Sequence, residues 1–133
     1  MVTKSSILGL IAALAVVLIA VSVVGEDTDS QIPKIGTVEE SGFSQSCVET
    51  GCYTPSILTI KSGTVVTMTN TDPTGVHTFT SGTVDGFTPS PDGIFNSGVL
   101  MSGDALDRKF SQYGTFDYYC MLHTWMTGKI IVE

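Results

Sequence analysis

From residue 56 onward, apolar and polar residues alternate in short runs. In residues 64–70, Val66, Met68 and Asn70 share one face, while Val65, Thr67 and Thr69 share the other. In residues 114–120, Phe116, Tyr118 and Cys120 take the buried face, and Asp117 and Tyr119 turn outward. Strands are also expected over 56–61, over 106–110 with Arg108 and Lys109 half exposed, and over 128–133 with Ile130 and Val132 inward. A short strand opens at His77, and a weak edge strand is expected over 35–38. Turn signals stand between them at Ser62-Gly63 and at Thr71-Asp72-Pro73-Thr74-Gly75. Residues 81–98 are rich in Gly, Pro, Ser and Asp, and are expected to form a long surface excursion anchored by Phe87, Ile94 and Phe95. Short strands at regular spacing, with no helical period, predict an all-β fold, a Greek-key antiparallel β-sandwich.

The N-terminal pattern is different. Residues 7–24 are apolar apart from Gly9 and Ser22 and carry no charge; Lys4 precedes them, and Glu26, Asp27 and Asp29 follow. As a helix this stretch would be about 27 Å long, close to the thickness of a bilayer core. The charge asymmetry places the N-terminus in the cytoplasm and the remainder outside. A cleaved signal peptide has the same layout, with Val23-Val24-Gly25 as a weak cleavage site. The expected organisation is therefore one N-terminal apolar helix within 1–25 (membrane anchor or signal peptide), a linker and first strand over 26–45, and a folded domain over 46–133. That domain is extracytoplasmic on either reading, anchored to the cell membrane or secreted.

Composition narrows the partners. The chain has 133 residues, room for one such domain, and a formal net charge of −7 from 13 acids and 6 bases. No basic stripe exists to neutralise phosphates, which excludes nucleic acid. An acidic surface fits a basic or charge-patterned partner, or serves solubility alone.

Three cysteines and two histidines carry the candidate chemistry. Cys47 and Cys52 lie close together in an exported segment, where such pairs form disulfides, and Gly51 supplies the freedom to close the loop. The other readings of this pair are a second metal site or a redox switch. Cys120 stands in the spacing Cys120-x-x-His123-x-x-Met126, which brings thiolate, imidazole and thioether together. Soft sulfur with imidazole is the donor set copper prefers, and two histidines, one cysteine and a long axial methionine make the electron-transfer geometry. The second histidine has to be His77, the one other histidine in the chain. Taken alone, a histidine at a strand start is more often structural.

These residues carry a family resemblance. Gly63-Thr64-Val65-Val66-Thr67-Met68-Thr69-Asn70, then His77-Thr78-Phe79-Thr80-Ser81-Gly82, then Gly114-Thr115-Phe116-Asp117-Tyr118-Tyr119-Cys120-Met121-Leu122-His123-Thr124-Trp125-Met126-Thr127-Gly128 make residues 53–133 resemble the cupredoxins, the small type 1 (blue) copper proteins. The gap between His123 and Met126 is similar to that of amicyanin; plastocyanin has a longer one. Leu122 stands where such loops usually have proline. The Cys47–Cys52 loop and the N-terminal segment resemble membrane-attached archaeal members.

The resemblance implies one copper per chain. His77, Cys120 and His123 would be its equatorial ligands and Met126 the axial one, with Met121 directed away. Asn70 falls where the family braces its ligand loops. The loop has no second cysteine, so the site is mononuclear. His123 would be the electron port, with Leu122 and Trp125 forming an apolar patch around it and Tyr119 marking a second route. The implied function is transfer of single electrons between redox proteins that dock transiently near His123, outside the cytoplasmic membrane, by a carrier rather than an enzyme. The alternatives are a copper oxidoreductase acting on a small molecule such as nitric oxide at an open axial position, and a copper carrier.

Overall fold

The computed structural model describes residues 31–133. The apolar helix expected within residues 1–25 lies outside the described residues, as does the start of the linker. Among the described residues no helix is long and apolar enough to cross a membrane.

The described chain forms nine strands: β1 Lys34–Thr37, β2 Tyr53–Thr54, β3 Ile57–Ile60, β4 Thr64–Thr69, β5 Thr80–Asp85, β6 Thr88–Asn96, β7 Ala105–Phe110, β8 Gly114–Tyr119 and β9 Thr127–Val132. One sheet has the order β2-β1-β4-β7, the other β3-β9-β8-β5-β6. Alternation explains how they face each other. Val66 and Met68 from β4, Phe116 and Tyr118 from β8, and Ile130 and Val132 from β9 are all buried in one core with Ile35, Tyr53 and Phe79. Tyr118 packs edge-on to Tyr53, their ring centres 4.9 Å apart. Arg108 lies over the rings of Phe95 and Phe110, so its guanidinium closes one margin of the core.

Four expectations need correction. The sandwich is mixed rather than antiparallel: β1 runs parallel to β4, and β3 parallel to β9. Side-chain alternation is the same in both pairings, so the pattern could not tell them apart. Secondly, β1 is no edge strand; it lies between β2 and β4, with Ile35 and Thr37 buried. Thirdly, residues 81–98 are mostly the long β5–β6 hairpin, kinked by a bulge between Thr80 and Gly82. Phe95 anchors it, while Phe87 and Ile94 are exposed. Lastly, Tyr119 does not point to solvent. It is 1% exposed, paired through its backbone with Thr80 and Thr127. Burial, then the Asp92 carboxylate of β6, pushes its phenol pKa up.

Candidate metal centre

The end of β4, the start of β5 and the loop between β8 and β9 meet at one end of the sandwich. The β8–β9 loop is closed by its own backbone. The Cys120 amide donates to the Met126 carbonyl (3.1 Å), the His123 amide to the Cys120 carbonyl (3.3 Å), and the Met126 amide to the His123 carbonyl (2.9 Å). These bonds fold Cys120, His123 and Met126 into a compact turn, with Cys120 and Met126 fully buried. His77 arrives from across the sheet. Its backbone pairs with Leu100 in an isolated bridge, which fixes it just before β5.

The result is a triangle. The ligating atoms of His77, Cys120 and His123 all lie within 4.8 Å of one another. Cys120 Sγ is 4.0 Å from His77 Nδ1 and 3.6 Å from His123 Nδ1. The Thr78 amide also donates to this sulfur, at 3.3 Å. Burial pushes the thiol pKa up, but His77 and the surrounding amides outweigh it, so the net shift is downward, toward thiolate.

Behind His77 stands a group the sequence reading left in a turn. His77 Nε2 lies 2.8 Å from Asp72 Oδ2, and both side chains are 0% exposed. A carboxylate only accepts, so Nε2 carries the proton and the Nδ1 lone pair faces the sulfur. Burial raises the Asp72 pKa, but His77, the Thr74 amide and hydroxyl, and the Glu40 amide hold it well below the ordinary carboxylate range. For His77, burial lowers the pKa, yet hydrogen bonds with Cys120 and Asp72 give a net rise. For His123, burial and then the neighbouring His77 lower it. Gly75 makes room for this pair, since a Cβ there would sit 2.7 Å from Asp72 Oδ2 and 2.9 Å from His77 Nε2. The only advance signal for Asp72 was an acid inside a turn five residues before a histidine.

Asn70 holds this corner together. Its Nδ2 donates to the carbonyls of Gly75 (2.8 Å) and Leu100 (2.9 Å), and its Oδ1 accepts from the Thr37 hydroxyl (2.9 Å) and the Asp72 amide (3.0 Å). The buried Thr37 hydroxyl accepts in turn from the Thr71 and Asp72 amides. Tyr53, which the sequence reading did not single out, adds a phenol that donates to the Thr78 carbonyl at 2.6 Å.

The remaining expected residues fall as follows. Leu122 is half exposed at the tip of the loop, and Met121 is similarly exposed with its sulfur toward Asn96, away from the triangle. Trp125 stands beside His123, as expected, but is not a free surface ring. It is partly buried against the core, its Nε1 donates to the Ser41 carbonyl at 2.8 Å, and its ring centre is 5.3 Å from that of His123. Tyr119, being buried, offers no surface for an electron route. Cys47 and Cys52 are joined as a disulfide, leaving Cys120 as the free thiol of the described residues.

A two-sheet sandwich with a buried His–Cys–His triangle at one end defines a cupredoxin-like domain, and this chain is one, related to amicyanin and to the archaeal purple cupredoxins. It is 40% identical over 76 residues to Amicyanin-alpha of Methylorubrum extorquens, a match covering 56% of this chain and 58% of that protein. Among solved structures it is similar to a purple cupredoxin from Nitrosopumilus maritimus (28% identity, TM-score 0.58, 76% of this chain and 99% of that one). It is also similar to part of the copper-containing nitrite reductase of Thermus scotoductus (26% identity, TM-score 0.54, 76% of this chain and 22% of that one). No protein-family model matches the chain.

Proposed function

We propose that this protein is a mononuclear type 1 copper protein that carries single electrons and is not an enzyme. The observation that carries the reading is the convergence of a ring nitrogen from each histidine and the Cys120 Sγ within 4.8 Å, with both Nδ1 atoms facing the sulfur. The donors fit copper: a sulfur already accepting an N–H, and an imidazole whose Nδ1 lone pair is freed because Nε2 donates to Asp72. His77, Cys120 and His123 would hold the metal, and Met126, buried at the end of the same loop, would supply a thioether as a further donor. Copper held there would supply the one-electron Cu(II)/Cu(I) couple. The chain's contribution is to keep the donors fixed. Two sheets, the Asn70 network and the backbone bonds of residues 120–126 all oppose movement of the donors, so little reorganisation accompanies the electron.

The copper-carrier alternative fits less well. His77 and Cys120 are fully buried, whereas metal hand-over calls for accessible donors. For the oxidoreductase alternative, the deciding property is whether a small molecule reaches the metal.

The partners we propose are redox proteins docking transiently on the loop tip around Leu122, close to His123. The chain's net charge of −7 then favours a partner with a basic rim. We also propose that residues 1–25 anchor the domain outside the cytoplasmic membrane, or direct its export if cleaved, and that the copper domain comprises 46–133 together with β1 and the turn after it.

The test is the visible and paramagnetic-resonance spectrum of the full chain loaded with Cu(II). An intense thiolate band is expected, and Cys120→Ser should remove it. A variant that keeps the colour would refute the ligand assignment. A wild-type band that shifts with azide or nitric oxide would favour the oxidoreductase.

A further inference from the structure

The turn between β1 and the disulfide has no part in the ligand set, yet it touches both histidines' surroundings. Its backbone bonds to itself: the Phe43 and Ser44 amides donate to the Glu40 carbonyl at 2.9 and 3.0 Å, and Glu40 takes a left-handed backbone conformation (φ 58°). The Glu40 amide helps hold the Asp72 charge behind His77. Two residues on, Gly42 lies directly against the other imidazole. A Cβ at position 42 would stand 2.7 Å from Cε1, 2.9 Å from Nε2 and 3.2 Å from Nδ1 of His123. Three constraints hold the turn there. Trp125 donates its indole N–H to the Ser41 carbonyl at 2.8 Å, the Val38 amide bonds to the Cys52 carbonyl at 2.9 Å, and the Cys47–Cys52 bridge ties the downstream end. Ser41 is buried, while Phe43 next to Gly42 is 76% exposed.

We infer that residues 39–44 form the wall that closes the metal site to small ligands on the His123 side, and that Gly42 is the position that lets this wall close. The argument is steric. Every other L-residue would add an atom inside the contact distance of a ring that is itself backed by Trp125, so either the ring or the turn would have to move. Closure of this kind admits electrons and excludes donor molecules, because electrons can cross packed atoms without displacing them. The inference rests on the copper reading and deepens it: Gly42 decides between outer-sphere transfer and direct binding of an exogenous molecule at the metal.

The experiment uses the full chain in two forms. In the metal-free form, Cys120 is the free thiol of the described residues, and its rate of alkylation by iodoacetamide reports access to the site. In the Cu(II) form, the readout is the shift of the thiolate band on adding azide. Wild type should alkylate slowly and ignore azide. Gly42→Ala should alkylate faster by about tenfold or more, as expected when a local wall opens without global unfolding, and should respond to azide. Trp125→Phe, which keeps a ring beside His123 but releases Ser41, should do the same and carries the test if Gly42→Ala does not fold. Phe43→Ala, whose side chain points into solvent, should match wild type in both assays.

A folded Gly42→Ala with wild-type alkylation and no azide response overturns the inference. So does a wild type that already binds azide, or a Phe43→Ala variant that behaves like Gly42→Ala. A wild type lacking any thiolate band would sink the copper reading instead, while the alkylation comparison would still decide whether the wall exists.

Discussion

His77 and His123 flank the same sulfur at 4.0 and 3.6 Å, but the chain holds them by different means. His77 is fixed by hydrogen bonds. Asp72 accepts a hydrogen bond from its Nε2–H, Leu100 pairs with its backbone, and Asn70 ties the preceding turn to the Leu100 carbonyl. The His123 backbone is bonded within its own loop, but its ring is fixed by contact, between the Trp125 ring and Gly42, and the residue remains partly exposed. The difference teaches which ring has which freedom. A ring inside a fully satisfied polar network has one orientation, because any other leaves a buried group unpaired. A ring held by packing is positioned less stringently than one inside a hydrogen-bond network, and the partial exposure of His123 supports the proposal that the electron leaves there.

Four changes would break or sharpen this contrast. The largest effect is expected on the His77 side, from Asn70→Ala. Four hydrogen bonds, three of them buried, vanish at once, so stability should fall by about 3 kcal/mol or more in urea unfolding of the metal-free chain. A loss below about 1 kcal/mol would show that waters replace the amide and that the network is not what fixes His77. Next comes Asp72→Asn. It keeps the shape but removes the buried charge and points an amide donor at other donors, for an expected cost of about 2 kcal/mol. Removing a negative charge beside the metal also disfavours the more positive Cu(II) state, so the reduction potential should rise; a lower potential would contradict the placement of Asp72.

On the His123 side the effects should be smaller. Trp125→Phe forfeits one hydrogen bond, to Ser41, and should lower stability by about 1 kcal/mol while leaving the Cu(II) band of the protein close to wild type in the absence of added ligand. If it cost as much as Asn70→Ala, the two rings would not be held by different means. The smallest effect on stability belongs to Leu122→Ser at the exposed loop tip, within about 0.5 kcal/mol of wild type. Its electron exchange with a basic redox partner should nevertheless slow, measured by stopped-flow kinetics. An unchanged rate would move the docking site elsewhere.

Much of this site can be read along the chain, and the unread parts have a common cause. The strand phases of β4, β8 and β9 follow from alternation, which is local. So does the entry of Cys120 into its loop from the core side. Asn70 stood out because an amide on an apolar strand face requires partners. Tyr119 misled the reading for the converse reason. Alternation put it on the outer face correctly, but that face is covered at this end of the sheet, and coverage is set by where the β5–β6 hairpin lies. Trp125 likewise went to the inner margin because a carbonyl from residue 41, 84 positions away, was there to accept its indole proton.

The sequence by itself determined the candidate donors: one cysteine, two histidines and the methionine proposed with them, three of the four within seven residues, beside strands whose period sets which side they enter from. Only the tertiary structure decided what surrounds those donors. The parallel pairing of β1 with β4 brings Thr37 onto Asn70, the turn after β1 onto Asp72, and Gly42 onto His123. A donor set is a matter of residue type and short spacing, which the chain fixes covalently. Its second layer is assembled from segments up to 84 positions apart, and their meeting depends on strand order and direction, which residue alternation does not encode.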